Sequence, residues 1–234
     1  GVDWVQQGLV QFGIRVLGMQ DLSQLLEAEQ ARNQQLSLEN MQLRETQAEV
    51  ERLRALLDYK NAHNSQFRLE AARIIARAPN NWYKTMTVDK GADYGLTVNM
   101  PVITPEGLVG KIVDVSSNTA QVLLITDREM AVGAILQPTR ENRGIVEGIG
   151  DGRLRMVNIP YYSQVQDGDP VVTSGLSQTY PPGLRIGTIR DVQKEANGLV
   201  LSAFVEPVVD FDRLEEVLII KSFQAPSEPV NEGG

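Results

Sequence analysis

The stretch Pro101-Val102-Ile103-Thr104-Pro105-Glu106-Gly107-Leu108-Val109-Gly110-Lys111-Ile112-Val113-Asp114-Val115-Ser116 decides the fold. Its two arms are short and rich in Val and Ile, side chains that fit a pleated, half-buried surface. Pro105-Glu106-Gly107 between them is turn chemistry, with proline pre-setting φ and glycine supplying freedom where the chain reverses. The stretch is therefore a strand, a tight turn and a second strand. The same grammar continues downstream. Further strands are expected at 120–126, 131–137, 144–147, 153–158, 170–174, 185–192, 199–207 and 217–221, and upstream at 84–90, with the β region opening at 72–79. Ser116-Ser117-Asn118, Asp151-Gly152, Asp167-Gly168-Asp169-Pro170, Pro181-Pro182-Gly183 and Asn197-Gly198 punctuate them. Many short strands at even spacing with no helices between them mean a sandwich or a barrel. A dozen strands in about 150 residues divide better into two small six-stranded β-barrels than into one open sheet.

Upstream the character changes. Residues 1–72 contain no proline and read as a long N-terminal α-helix, so the fold class is mainly β behind one helix. Val5, Leu9, Phe12, Val16, Met19, Leu22 and Leu26 recur at three- and four-residue spacing and form one apolar stripe beside Trp4, suited to a membrane interface or a partner helix. From Leu22 a seven-residue repeat follows: Leu22, Glu29, Leu36, Leu43, Val50, Leu57, five of six apolar. That is the seam position of a coiled coil, and Leu22, Leu36, Leu43, Val50 and Leu57 are the expected dimerisation residues. The companion position is mostly polar (Leu26, Asn33, Asn40, Gln47, Arg54). A half-polar seam makes a weak dimer that needs high local concentration, such as tethering on a membrane. A solitary long helix is the other reading of the same residues.

Composition removes whole classes of chemistry. The 234 residues carry 22 Lys and Arg against 30 Asp and Glu, a net charge of −8. That balance argues against a nucleic-acid partner, whose phosphates need a basic stripe. There is no cysteine, which excludes disulfide scaffolds and thiol catalysis, and the single histidine, His63, excludes His-rich metal cages. The longest charge-free segment near the start, 4–14, is about half of the ~20 residues needed to cross a bilayer.

Several motifs offer chemistry and a plainer alternative. Gly148-Ile149-Gly150-Asp151-Gly152-Arg153 looks like a phosphate loop but is followed by a strand, so a hairpin turn is the better reading. The two carboxylates of Asp167-Gly168-Asp169 fall short of a calcium shell. Asp210, Asp212, Glu215 and Glu216 read as an exposed polar turn rather than a metal or acid/base site. Ser174, at a strand end, needs a base, and the lone imidazole lies on the predicted helix. No catalytic residue, metal or cofactor is therefore expected. The aromatics at turns are better candidates: Tyr161-Tyr162 after Pro160, Tyr180 before Pro181-Pro182, and Trp82-Tyr83 in the Asn80-Asn81 turn region. Loop aromatics supply partner-binding anchors, and capping of barrel ends is the competing role.

In combination these segments resemble the extracytoplasmic part of the bacterial rod shape-determining MreC family. The resemblance is carried by Pro105-Glu106-Gly107-Leu108-Val109-Gly110-Lys111-Ile112-Val113 and Ala120-Gln121-Val122-Leu123-Leu124-Ile125-Thr126-Asp127. Gly168-Asp169-Pro170-Val171-Val172-Thr173-Ser174-Gly175-Leu176 and Tyr180-Pro181-Pro182-Gly183-Leu184-Arg185-Ile186-Gly187 complete it, all behind the leucine-repeat helix. It implies a coiled coil and two small β-barrels, one inserted in the other, similar in topology to trypsin-like proteases but without a triad. It also implies a membrane span preceding Gly1 and a periplasmic, extracytoplasmic location. The implied partners are a second copy in a homodimer or filament, a class B penicillin-binding transpeptidase, and MreD with other membrane proteins of the elongation machinery.

The expected division is 1–21 as an amphipathic juxtamembrane helix, 22–71 as a coiled-coil helix, 72–128 plus 200–223 as the first barrel, 129–199 as the inserted second barrel, and 224–234 as a disordered tail. The expected function is a non-enzymatic, membrane-anchored scaffold of peptidoglycan synthesis that maintains rod cell shape. The alternatives are a serine hydrolase on a protease-like barrel, which requires a reactive Ser174, and a periplasmic adaptor of an efflux or secretion system, which requires a returning second helix.

Overall fold

Val122-Leu123-Leu124-Ile125 and Val217-Leu218-Ile219-Ile220 are apolar at consecutive positions, which a strand with one wet face does not need. In the computed structural model all eight of these side chains are buried. The structure describes residues 3–78, 84–137, 143–196 and 198–224, with backbone alone for 3–21. A helix, α1 (Asp3–Ala62), is followed by β1 (Phe67–Arg77), β2 (Thr85–Val88), β3 (Pro101–Ile103), β4 (Leu108–Val115) and β5 (Ala120–Leu124). Then come β6 (Ala131–Leu136), β7 (Arg143–Gly148), β8 (Leu154–Pro160), β9 (Pro170–Thr173), β10 (Arg185–Lys194), β11 (Val200–Pro207) and β12 (Glu216–Phe223).

These strands close into two antiparallel barrels of six. The first runs β1-β12-β3-β4-β5-β2 and the second β10-β11-β8-β7-β6-β9. Closure leaves no unpaired edge in either sheet. The second barrel is inserted between β5 and β12 of the first. The doubly apolar runs follow from this arrangement. Val122, Leu124, Val217 and Ile219 join one core with Val88, Val102 and Ile112, all from the first barrel. Leu123, Ile125, Leu218 and Ile220 point the other way, into a larger core shared with Val132, Leu136, Leu154, Met156, Ile186 and Ile189 of the second barrel. Each strand of that pair is buried on both faces, one against its own barrel and one against the neighbour.

The chain divides into a helical unit, Gly1–Arg52, and a second unit, Leu53–Gly234, that holds the last turns of α1 and both barrels. In the second unit Leu56 is buried in the shared core beside Tyr59 and Phe67.

Two expected boundaries need correction. The helix ends at Ala62 rather than 71, and β1 begins at Phe67. Phe67-Arg68-Leu69-Glu70-Ala71 is acceptable to a helix by local propensity, but antiparallel pairing with β12, from Phe67↔Phe223 to Arg73↔Glu216, overrides it. Residues 200–207 belong to the second barrel, not the first. β11 pairs with β10 (Gly187↔Pro207) and with β8 (Leu201↔Ile159), because neighbouring strands in sequence pair first. The chain returns to the first barrel only after Pro207. The tail, 225–234, and Trp82-Tyr83 lie outside the described residues, as do the side chains of 1–21.

Candidate interaction surfaces

The helical stripe is built by spacing alone. Residues seven apart fall on one face of a helix, and Leu22, Leu36, Leu43, Val50 and Leu57 are all exposed, with Leu36 at 52% and Leu43 at 63%. Leu25, Leu26, Leu38, Met41 and Leu53 on the same helix are exposed as well. Clustered exposed apolar surface marks an interaction site.

At the end of α1 the amide of His63 donates to the Tyr59 carbonyl (3.1 Å) and the His63 carbonyl accepts from the amides of Gln66 and Phe67 (both 2.9 Å), which turns the chain into β1. The imidazole stacks between Tyr59 (centroids 4.0 Å apart) and Phe67 (5.9 Å), and its Nδ1 donates to the Tyr59 carbonyl at 2.9 Å. Burial pushes the Tyr59 phenol above the usual tyrosine range. The lone histidine is thus engaged in the joint between helix and barrel. Ser174, the nucleophile candidate, has its hydroxyl accepting from the Leu176 amide (3.3 Å), a turn contact.

Tyr161 and Tyr162 follow β8. Asn158 sits in the left-handed region (φ 59) and the Ser163 amide donates to the Pro160 carbonyl (2.9 Å), so the chain turns sharply and leaves both rings outside. They are 60% and 73% exposed and meet edge to face with centroids 5.5 Å apart. Leu199, also exposed, lies alongside, because Val200 pairs with Pro160. The result is an aromatic and aliphatic patch at one end of the second barrel.

Tyr180 is different and corrects its expected role. It is 5% exposed and belongs to the shared core, and burial pushes its phenol far above the usual range. Its ring is packing, not a partner anchor. Thr173 explains the local shape: its hydroxyl donates to the Pro181 carbonyl (2.6 Å) and accepts from the Leu184 amide (2.9 Å), folding the 174–183 loop so that Tyr180 points inward. Tyr180→Phe is expected to leave stability within about 1 kcal/mol of wild type, and Tyr180→Ala to lose about 3 kcal/mol, measured by denaturant unfolding. Because the folded state favours the neutral phenol, stability is held below and lost above about pH 10, where the unfolded chain's tyrosine ionises.

The remaining motifs are turns. Ile149 and Arg153 close the β7–β8 hairpin (3.2 Å), and the Arg153 guanidinium beside Asp151 holds that exposed carboxyl below its usual range. Asp169 accepts from the Gln166 amide, and Asp210 from the Asp212 amide. Among the described residues no group of three or more His, Asp or Glu is placed to hold a metal. Sequence reasoning missed one feature: a cleft of about 550 Å³ between the barrels, with exposed Val98 on one side, exposed Leu176 on the other and Phe223 among its lining. Its only sequence signal is a single large aliphatic in each of two polar turns.

Comparison with known proteins agrees with this architecture. Residues 74–221 match the family model for the rod shape-determining protein MreC, barrel core. The cell shape-determining protein MreC of Listeria monocytogenes is 35% identical over 154 residues, covering 64% of this chain and 52% of that protein. The chain thus spans about half the length of that curated relative. A solved MreC structure superposes with a TM-score of 0.66 at 30% identity, over 75% of this chain and 98% of the other. An MreC chain solved in complex with penicillin-binding protein PBP2 from Helicobacter pylori shares the fold alone, with a TM-score of 0.52 at 13% identity over 66% of this chain and 100% of that one. Its two barrels, the second inserted in the first, and the family match over 74–221 place this chain in the MreC family of rod shape-determining proteins.

Proposed function

We propose that this chain is a non-enzymatic, membrane-tethered scaffold on the extracytoplasmic side of the cytoplasmic membrane. It pairs through the stripe Leu22, Leu36, Leu43, Val50 and Leu57 and presents the Tyr161-Tyr162 turn to a class B penicillin-binding transpeptidase of the elongation machinery. The observation that carries the reading is the distribution of apolar surface: the barrel cores are filled, while the helix stripe and the tyrosine turn stay exposed. Tethering raises the effective concentration of two helices and so permits pairing through a half-polar seam. The paired barrels then hold the partner in the conformation they bind best, shifting its population without any bond being made or broken. The PBP2 complex described for the Helicobacter MreC chain is consistent with this class of partner.

The tyrosine turn gives a direct test. Truncating two central aromatic anchors costs about 1.5 kcal/mol each. Tyr161→Ala combined with Tyr162→Ala is therefore expected to weaken binding to the purified transpeptidase about 100-fold, by biolayer interferometry, with unfolding unchanged. Unaltered affinity in that variant would remove the tyrosines from the interface. Labelling of Ser174 by a fluorophosphonate probe would instead favour the hydrolase reading.

A further inference from the structure

Among the described residues Asp127 is the one buried carboxylate, 1% exposed, and neither proposed surface uses it. A charge taken out of water is tolerated only when its oxygens are well supplied with donors. One donor here is distant in sequence and the other is local. Oδ2 accepts from the amide of Lys84 (2.7 Å), which leads directly into β2 of the first barrel. Oδ1 accepts from the amide of Glu129 (2.8 Å), two residues on in the same β5–β6 connection, which is a local turn bond.

The backbone of the same residue is gripped from the other side. A Cβ on Gly148, at the end of β7, would lie 2.1 Å from the Asp127 carbonyl oxygen, so glycine is required for β7 to pass so close. The Gly150 amide donates to the Thr126 carbonyl (3.1 Å), and the Gly148 amide to the Met130 carbonyl (3.2 Å). A second approach lies elsewhere along the seam. A Cβ on Gly107, in the β3–β4 turn, would lie 2.4 Å from the Arg185 carbonyl oxygen of β10, and the Val208 amide donates to the Ile186 carbonyl (3.1 Å).

We propose that Asp127 is an inter-barrel latch, a positioning residue that fixes the angle between the two barrels so that they present their surfaces as one rigid body. Relative motion is the ordinary expectation for two domains joined by short crossings. Three features oppose it: a shared apolar core, backbone contacts too close for a side chain, and a residue whose carboxylate holds the Lys84 amide of the first barrel while its backbone lies against β7 of the second. Rotation of one barrel against the other pulls the Lys84 amide away from a buried carboxylate, so the arrangement resists small displacements rather than deforming gradually.

The absence of cysteine makes the test clean. Val98→Cys and Leu176→Cys, both at exposed positions on opposite sides of the inter-barrel cleft, place one spin label on each barrel of the full chain. Double electron–electron resonance is expected to show a narrow distance distribution in this reference chain. Adding Asp127→Ala is expected to broaden the distribution about twofold while the β signature in circular dichroism persists. Gly148→Ala, which blocks the other side of the latch, is expected to broaden it as well. A broad distribution in the reference chain, or an unchanged width in folded Asp127→Ala, overturns the proposal. Should Asp127→Ala not fold, Asp127→Asn, which keeps one acceptor, decides in the same way: broadening supports the latch and unchanged width overturns it.

Discussion

Leu36→Lys combined with Leu43→Lys is expected to sediment as a monomer at concentrations where the unaltered chain sediments as a dimer. Each leucine buried in a coiled-coil seam contributes about 1.5–3 kcal/mol. Four are removed per dimer, and four ammonium groups are brought to the same seam. The loss is at least about 6 kcal/mol, which raises the dissociation constant by roughly four orders of magnitude. Both positions are exposed in the single chain, so helix content and barrel stability stay as they were. Sedimentation equilibrium over a wide concentration range reads this directly. Identical masses for the two chains at every concentration would remove the seam from the account and leave α1 a solitary helix. The polar companion positions Asn33, Asn40 and Gln47 predict that even the unaltered dimer is weak in free solution.

The second large effect lies in the first barrel. Gly110 on β4 has no room for a side chain: a Cβ there would lie 2.0 Å from the Leu123 carbonyl oxygen of β5 and 3.1 Å from the Leu124 Cα. These are backbone atoms of the paired strand and cannot move without breaking the ladder in which Gly110 faces Leu124. Gly110→Val is expected to cost about 5 kcal/mol or more, enough to unfold a domain of ordinary stability. A soluble chain with wild-type urea midpoint would contradict the barrel closure described here. The contrast is Val113→Thr on the same strand, an exposed position where about 0.5 kcal/mol or less is expected.

Local signals and non-local ones were not equally legible. The hairpin at 101–116 was plain because β-branched arms and a Pro-Glu-Gly turn agree with each other and with the register found, Pro101↔Lys111 and Val102↔Gly110. The twelve strands and the two-barrel architecture follow from such agreement repeated along the chain. The start of β1 was not legible, since Phe67-Arg68-Leu69-Glu70-Ala71 becomes a strand only by pairing with β12, about 150 residues away in sequence, and no local preference reports that. The ownership of β11 was misjudged for a related reason. The run 199–207 could close either barrel by composition, and the short β10–β11 connection decides it. Tyr180 beside two prolines read as a loop aromatic, but Thr173 folds its loop inward. Tyr161 and Tyr162 are exposed because the turn after Pro160 carries both rings away from the barrel core. Asp127 carried one faint signal, a Thr-Asp pair ending an apolar run of four. Only the geometry shows which amides its carboxylate holds.

The proposed central role is binding of a transpeptidase of the elongation machinery through the exposed turn of the second barrel. Site-specific photo-crosslinking in living cells tests that most directly, with the photoreactive residue placed at Tyr161 or Tyr162 and, as a control, at buried Tyr180. One dominant adduct is expected from the first two positions, identified by mass spectrometry as a class B penicillin-binding protein, and none from position 180. An adduct of equal yield from position 180, or none with any penicillin-binding protein from 161 and 162 in cells that keep their rod shape, would contradict it.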